Sequence, residues 1–397
     1  MRLSFLLVTV FLDMLGLGVI VPILPSLMTA VTGSAAGAVY WSGLLGSAYG
    51  LLQFAVSPLL GRLSDRYGRR PVLLLSLTCL GVDWLAHAAV PEPWALLFFH
   101  GLAGACAGTS TVVNAYVADV TPEEGRARAY GRIGAAYALG FVAGPLLGGL
   151  LGAVDVRLPF LAAAGLSFAG VAWGRLVLPE SHRGDRSSPV TFRMANPVGA
   201  ITVVLRRAVL GRLAYARLCA DVARMIQQSV WTFFLAYQFG FGTTQAGVVM
   251  AAGATAGAVF QARATGPVVR LLGDKRAAIT GTLIGAASFA GIALSTGATT
   301  LYLWSAVGVL GSYAGAATQS WISRTTPAAE QGTVQGALTG LSAIAETLVP
   351  LAASTAFGLL LAHDAAGLVL MAAAAAAALS ATVLFLTPAP AAPITGR

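Results

Sequence analysis

Twelve apolar runs, each long enough to cross a lipid bilayer as a helix, follow one another along the chain with short polar breaks. A hydrocarbon core about 30 Å thick is crossed by about 20 apolar residues in helical form. The runs cover 4–28, 39–60, 72–90, 94–117, 129–153, 157–178, 208–237, 244–269, 277–297, 299–323, 332–360 and 365–387. They consume almost all of the 397 residues and leave no room for a sizeable soluble domain. Only 10% of the residues are charged and 57% are hydrophobic, whereas a soluble domain carries about 25% charge. The expected fold class is an all-α integral membrane protein of twelve transmembrane helices. The first run is too long for a signal peptide, contains Asp13 and lacks a good small-x-small cleavage site, so it reads as a retained first span.

The basic residues give the chain an orientation. Loops on one side carry Arg62, Arg66, Arg69 and Arg70, then Arg126 and Arg128, then Arg183, Arg186, Arg193, Arg206 and Arg207, then Lys275 and Arg276, then Arg324. Loops on the other side carry only Arg157. Arg and Lys collect on the cytoplasmic side, so both termini are expected there. The net charge of +9 is spread over these loops. It therefore points to the anionic lipid of a bilayer rather than to nucleic acid.

The longest polar stretch, from Pro179 to about Arg207, divides the runs into two sets of six. The expected organisation is an N-terminal half at 1–178, a cytoplasmic linker at 179–207 and a C-terminal half at 208–397. The halves repeat one another. Gly61 and Gly68 recur as Gly266 and Gly273, Thr121-Pro122 as Thr326-Pro327, Gly131 as Gly336 and Pro145 as Pro350, all at an offset of 205.

Ionisable residues at membrane depth are costly, and each is a functional candidate by default. At 1.5 Å per residue, Asp13 lies about 14 Å along the first span and Asp83 about 16 Å along the third, near the midplane. Either carboxylate could bind and release a proton, or could cap backbone or bond to a neighbour. His100, in the fourth span, carries an imidazole that titrates near neutral pH. Asp221 and Arg224 in the seventh span are three residues apart, on one helix face, and read as a structural ion pair. Glu346 lies in the eleventh span. Arg217 and Arg263, near span ends, are expected to reach toward the interface. Cys79, Cys106 and Cys219 have no paired spacing and read as small packing residues, with neither disulfide nor metal role. No metal-ligand spacing, no nucleophile–base set and no phosphate loop of the GxxxxGK[ST] type is present, which argues against an enzyme or an ATP-driven pump.

Two strings are more specific. The loop after the second span reads from Gly61 to Pro71 as GRLSDRYGRRP, with glycines that allow a tight turn and arginines that hold it in the cytoplasm. In the fifth span, Gly140, Gly144 and Gly148 recur every four residues around Pro145 and Gly149. That spacing lets a neighbouring helix approach closely, and the proline bends its own helix.

The loop string closely resembles the signature loop of the major facilitator superfamily. The span-five string resembles the antiporter signature of its drug exporters. From about residue 5 to 360 the chain resembles the tetracycline efflux antiporters of the drug:proton family. The likeness is carried by the string from Leu12 to Pro25, by Gln53, by Val82-Asp83-Trp84, by the string from Ala118 to Thr121 and by the string from Leu178 to His182. In the second half it is carried by Gln261, the string from Thr265 to Val268 and Gln335-Gly336. The resemblance implies proton-coupled export of an amphipathic drug, tetracycline-like, from the cytoplasm. Another natural product or metabolite carried by the same fold is the alternative, and a transport-dead sensor or scaffold a third reading.

The loop residues Gly61, Asp65, Arg66, Gly68, Arg69 and Arg70 are implied to gate, with Asp65 and Arg69 clustering with Asp119. The residues expected to couple protons are Asp13, Asp83, His100 and Glu346, and those expected to meet substrate are Gln53, Asp83, Asp221 and Gln261. This chain has His100 where the family has Arg, and Gly257 and Gly285 where it has a His and an Asp. His100 is expected to take over the Arg role and Glu346 to stand in for the missing carboxylate. No cofactor and no metal-binding residue is expected, although the substrate can arrive as a divalent-metal chelate. The implied setting is the bacterial-type inner membrane and the implied state a monomer.

Overall fold

A computed structural model describes residues 2–107, 109–181, 197–327 and 330–388. Among them are fifteen helices, and no strand is found. Six helices are long and apolar enough to span a membrane by themselves, and two bent spans bring the number to eight. The rest of the twelve are built from broken or charged segments. α1 (Arg2–Ile20) and α2 (Leu24–Thr32) form the first span, bent by 54° where Pro25 opens α2. α3 (Ala35–Tyr67), α4 (Arg69–Ala89), α7 (Glu123–Val154) and α8 (Leu158–Val177) are the second, third, fifth and sixth. α5 (Pro93–Ala105) and α6 (Thr109–Val120) share the fourth.

The expected linker is partly α9 (Pro197–Leu205), and its stretch 182–196, with Arg183, Arg186 and Arg193, lies outside the described residues. α10 (Ala208–Phe239) is the seventh span. α11 (Thr243–Ala293) is two spans joined at Gly273, whose backbone leaves helical geometry. α12 (Ala298–Leu310) and α13 (Ala314–Thr325) share the tenth span, and α14 (Gln331–Leu361) and α15 (Gly367–Leu386) complete the set.

The offset of 205 reappears as geometry. The fourth span breaks at Cys106 and the tenth at Gly311. Gly68 (φ 102°) and Gly273 (φ 74°) both hold left-handed backbone at the corresponding turns. Just after them, Arg70 donates to the carbonyl of Arg175 at 2.5 Å, and Lys275 to that of Thr387 at 2.6 Å. In each half a cation thus satisfies a carbonyl near the end of the sixth helix, where such groups have no partner of their own. One pair recurs with its charges exchanged: Arg69–Asp119 (3.2 Å) in the first half corresponds to Asp274–Arg324 (3.2 Å) in the second.

Packing divides the chain into two compact units, which are not simply its two halves. The first holds 1–195 with 232–254 and 350–358, and the second holds 196–231, 255–349 and 359–397. The first unit has apolar clusters around Phe5, Leu73, Val113 and Tyr116, and around Ile23, Trp84 and Phe160. Borrowed segments join it through small residues. A Cβ on Gly149 would lie 2.7 Å from the carbonyl of Thr243, and Thr244 Oγ1 donates to the carbonyl of Gly149 at 3.0 Å. A Cβ on Gly43 would lie 2.7 Å from the carbonyl of Pro350. Ser47 Oγ accepts the N–H of Leu351 at 3.0 Å, beside that helix-interior proline. The second unit packs around Leu213, Ala277, Trp321 and Leu338. At its surface Arg207 pairs with Glu330, and the guanidinium holds that carboxyl below the ordinary glutamate range.

Gly68 is required twice over. Its φ and ψ (102°, 158°) suit glycine almost alone, and a Cβ there would meet the carboxylate carbon of Glu180 at 2.6 Å. That carboxylate accepts the N–H groups of Arg69 (2.8 Å) and Arg70 (3.2 Å) and so caps α4. Gly68→Ala is expected to destabilise the protein by about 1–3 kcal/mol from backbone strain, plus about 1 kcal/mol from the weakened cap. Gly273→Ala, with open space around its Cβ, carries the strain alone. Thermal unfolding in detergent measures both, and Gly68→Ala should melt lower.

Candidate functional site

The first unit contains a cavity of about 170 Å³. α1 contributes Asp13, Met14 and Leu17, α3 contributes Tyr49 and Gln53, α4 contributes Ser76, Leu80 and Trp84, α5 contributes His100, and α7 contributes Tyr137. Three of the sequence-derived candidates, Asp13, Gln53 and His100, line one space. Asp83 stands directly behind His100.

Asp83 is fully buried. Its Oδ2 lies 2.8 Å from His100 Nδ1, and its Oδ1 lies 3.2 Å from Nδ1 of His87. His87 Nδ1 is also 2.9 Å from the backbone carbonyl of Asp83, one turn back. Aromatic neighbours hold the imidazoles in place. His87 stacks on Phe160 at 5.5 Å and meets Trp84 at 5.9 Å, while His100 lies against Tyr49 at 5.0 Å. Asp83 Oδ1 has no hydrogen bond of good geometry, so a buried carboxylate oxygen faces an imidazole it does not fully engage. Asp13 is half-buried on the cavity wall. Gln53 faces the same cavity, its amide 3.5 Å from the carbonyl of Ala107 at the break in span four.

Asp221, Arg224, Glu346 and Gln261 belong to the second unit. Asp221 is buried, accepts from Arg217 Nε at 3.0 Å and Ser342 Oγ at 2.6 Å, and lies 3.5 Å from Arg224. The expected Asp221–Arg224 contact is therefore the longer of two. Arg217 does not reach for the interface, because a buried carboxylate one turn away outweighs what a partly exposed guanidinium gains from water. Glu346 lies 3.7 Å from Arg224 and is partly buried. Gln261 is exposed on the first half of α11.

Because Asp221 is sealed and Arg217 is its shorter cationic partner, while Ser342 and Arg224 remain, Arg217→Gln is expected to lower stability by about 1.5–3 kcal/mol. Arg224→Gln, on a half-exposed side chain, should change it by about 1 kcal/mol or less. Melting of the two variants side by side checks the order.

Asp65, Arg69 and Asp119 come together. Arg69 is buried, donates to Ser64 Oγ at 2.7 Å, pairs with Asp65, and reaches Asp119 at 3.2 Å. Ser181 Oγ adds a 3.1 Å bond to Asp119. Gly61 lies within the last turns of α3, and Arg66 lies over the Tyr67 ring at 5.5 Å. In α7, a Cβ on Gly140 would lie 2.9 Å from Met14 Cβ, on Gly144 2.6 Å from Gly18 Cα, and on Gly148 2.7 Å from the carbonyl carbon of Val19. Pro145 Cδ in turn lies where a Cβ on Gly18 would need to be, 2.9 Å away. The glycine face of α7 therefore lies against α1, the helix that carries Asp13.

Sequence reasoning does not single out His87, Ser342 or Glu180 for these contacts. The spacing Asp83–His87, one helical turn, is the available signal for the first. It also reads Cys79 and Cys106 as unconnected, yet the fold brings their two free thiols into contact.

Comparison with known proteins agrees with this architecture. The profile of the Major Facilitator Superfamily matches residues 6–350. Tetracycline resistance protein, class C, of Escherichia coli is 34% identical over 348 residues, 86% of each chain. Tetracycline resistance protein, class G, of Vibrio anguillarum is 33% identical over 347 residues, 87% of each. The crystal structure of the nucleoside transporter NupG superposes with a TM-score of 0.75 at 15% identity, covering 98% of this chain and 99% of that one, a likeness of fold. The chain belongs to the major facilitator superfamily. It is a multi-pass membrane transporter of small molecules and not an enzyme.

Proposed function

We propose that the protein exports an amphipathic, tetracycline-like drug from the cytoplasm in exchange for protons. The observation that carries this reading is the convergence of Asp13, Gln53 and the Asp83–His100 pair on one cavity. Carboxylates at membrane depth are suited to carry protons, and an amide, an imidazole and the Trp84 ring suit a drug with both polar and aromatic faces. The names of the relatives, which concern tetracycline resistance, support the substrate class.

In this reading Asp13 and Asp83 carry protons, the drug meets Asp13, Gln53 and His100 on the cavity wall, and Asp83, expected to touch substrate but sealed behind His100, acts through that imidazole, which replaces the family's Arg. Glu346, Asp221 and Gln261 serve coupling and substrate contact from the second unit. The Asp65–Arg69–Asp119 cluster is a latch that holds one state of an alternating-access cycle between the halves 1–178 and 208–397. The glycines around Pro145, which let α7 pack closely on α1, are the antiporter signature of this reading. The protein works as a monomer in a bacterial-type inner membrane with both termini cytoplasmic.

Tetracycline uptake by everted membrane vesicles, with and without an imposed proton gradient, tests the reading. Gradient-dependent uptake is the expected result. Absence of uptake by correctly inserted protein overturns the tetracycline assignment and favours another natural product or metabolite.

A further inference from the structure

The cluster behind the cavity has the composition and spacing of a metal site. One ligand atom from each of Asp83, His87 and His100 can be chosen so that all three lie within 4.8 Å of one another. The closest pairs are 2.8 Å (Asp83 Oδ2 to His100 Nδ1) and 3.2 Å (Asp83 Oδ1 to His87 Nδ1). Ligands about 2.0–2.1 Å from a tetrahedral ion are about 3.3 Å from one another. Small side-chain adjustments therefore bring the three atoms onto one ion.

Asp83 is fully buried and His87 is 2% exposed, so neither carboxylate nor imidazole has water to satisfy it. The buried Asp83 Oδ1 makes no hydrogen bond of good geometry although His87 Nδ1 lies 3.2 Å away, which leaves it lone-pair capacity for a metal cation. Neighbouring aromatic rings pack against both imidazoles and limit their reorientation.

We propose that Asp83, His87 and His100 bind one divalent transition-metal ion of the zinc class. Two imidazoles and a carboxylate suit zinc, cobalt, nickel or iron and are poor ligands for magnesium or calcium, which take oxygen alone. The ion's charge offsets that of Asp83. Of the three residues only His100 lines the cavity. The ion therefore arrives from that side, and a water or a substrate oxygen takes the fourth position there. The site rests on its own geometry and does not depend on which drug, if any, is exported.

The test uses the full-length, untagged protein in detergent, stripped with chelator and titrated with Co²⁺, whose visible ligand-field bands distinguish a tetrahedral nitrogen–oxygen site from the hydrated ion. His182 and His363, the remaining histidines, are replaced by Gln in all samples so that they bind nothing. The expected result is one Co²⁺ per chain with tetrahedral bands, displaced by Zn²⁺ and not by Mg²⁺. Affinity should fall at least tenfold in His100→Gln and in His87→Gln. His100→Gln changes a partly exposed position, so it decides the matter even where His87→Gln fails to fold. Absence of tetrahedral bands, or bands unchanged in His100→Gln, overturns the proposal. Because the readout needs neither drug nor gradient, failure of drug export leaves it standing, and failure of Co²⁺ binding leaves export untouched.

Discussion

Asp83→Asn is expected to reduce gradient-driven drug uptake by about 100-fold or more while leaving the protein folded in the membrane. The substitution keeps the shape of the side chain and removes its charge. Two imidazoles face that charge, at 2.8 and 3.2 Å, in a place sealed from water. The carboxylate is the proton-carrying group of the cluster in this reading, and each 1.36 kcal/mol that its loss adds to the transport barrier is about a factor of ten in rate. Because the amide can still accept a hydrogen bond from His100, the local fold should persist with the coupling lost. Initial uptake rates in everted vesicles, normalised to protein detected in the membrane, give the answer. A rate above about half that of the unmodified protein would place the essential carboxylate elsewhere, with Asp13 the first alternative.

Gly144→Leu should fail differently, by preventing assembly. A Cβ at this position would lie 2.6 Å from the Cα of Gly18 and 2.7 Å from the carbonyl of Leu15. Both obstacles are backbone, so no rotamer change relieves them and α1 must move away from α7. Overpacking of this kind typically costs about 1–3 kcal/mol and occasionally more, against a total stability of about 5–15 kcal/mol. Gly140 and Gly148 make the same close approach on either side, so the loss should spread along the helix pair. Gly134→Leu, on the same helix with nothing near its Cβ, is the control. Size-exclusion profiles in detergent should show most of the Gly144→Leu protein aggregated and Gly134→Leu monodisperse.

The architecture is largely legible in the sequence because lipid imposes simple rules. A run of about 20 apolar residues has few alternatives to a spanning helix, and turns between spans need glycine where the backbone becomes left-handed. Gly68 and Gly273 are such positions, and their common offset of 205 carries the repeat. The interior breaks are less visible. Cys106 and Gly311 interrupt spans that read as continuous, since hydropathy does not register a turn made of apolar residues.

The site is legible to the extent that charge at membrane depth is rare. Asp13, Asp83 and His100 stand out on that ground and share one region. His87 does not, because a histidine near a span end has an ordinary explanation, and only the packing of α4 against α5 and α8 shows what it faces. Ser342 beside Asp221 and Cys79 beside Cys106 are tertiary contacts with no trace in periodicity. Arg217 is misread from sequence because a cation near a helix end is expected to seek water unless the buried carboxylate one turn away is weighed first.

Exchange of drug for protons through the cavity that holds Asp13, with Asp83 behind it, is the step on which the proposed function depends. Proteoliposomes loaded with tetracycline and a pH-sensitive dye, diluted into drug-free buffer, measure that exchange directly. Outward drug movement accompanied by acidification of the lumen, with both lost in Asp13→Asn, is the expected result. Drug movement without acidification, or acidification unchanged in Asp13→Asn, would contradict it.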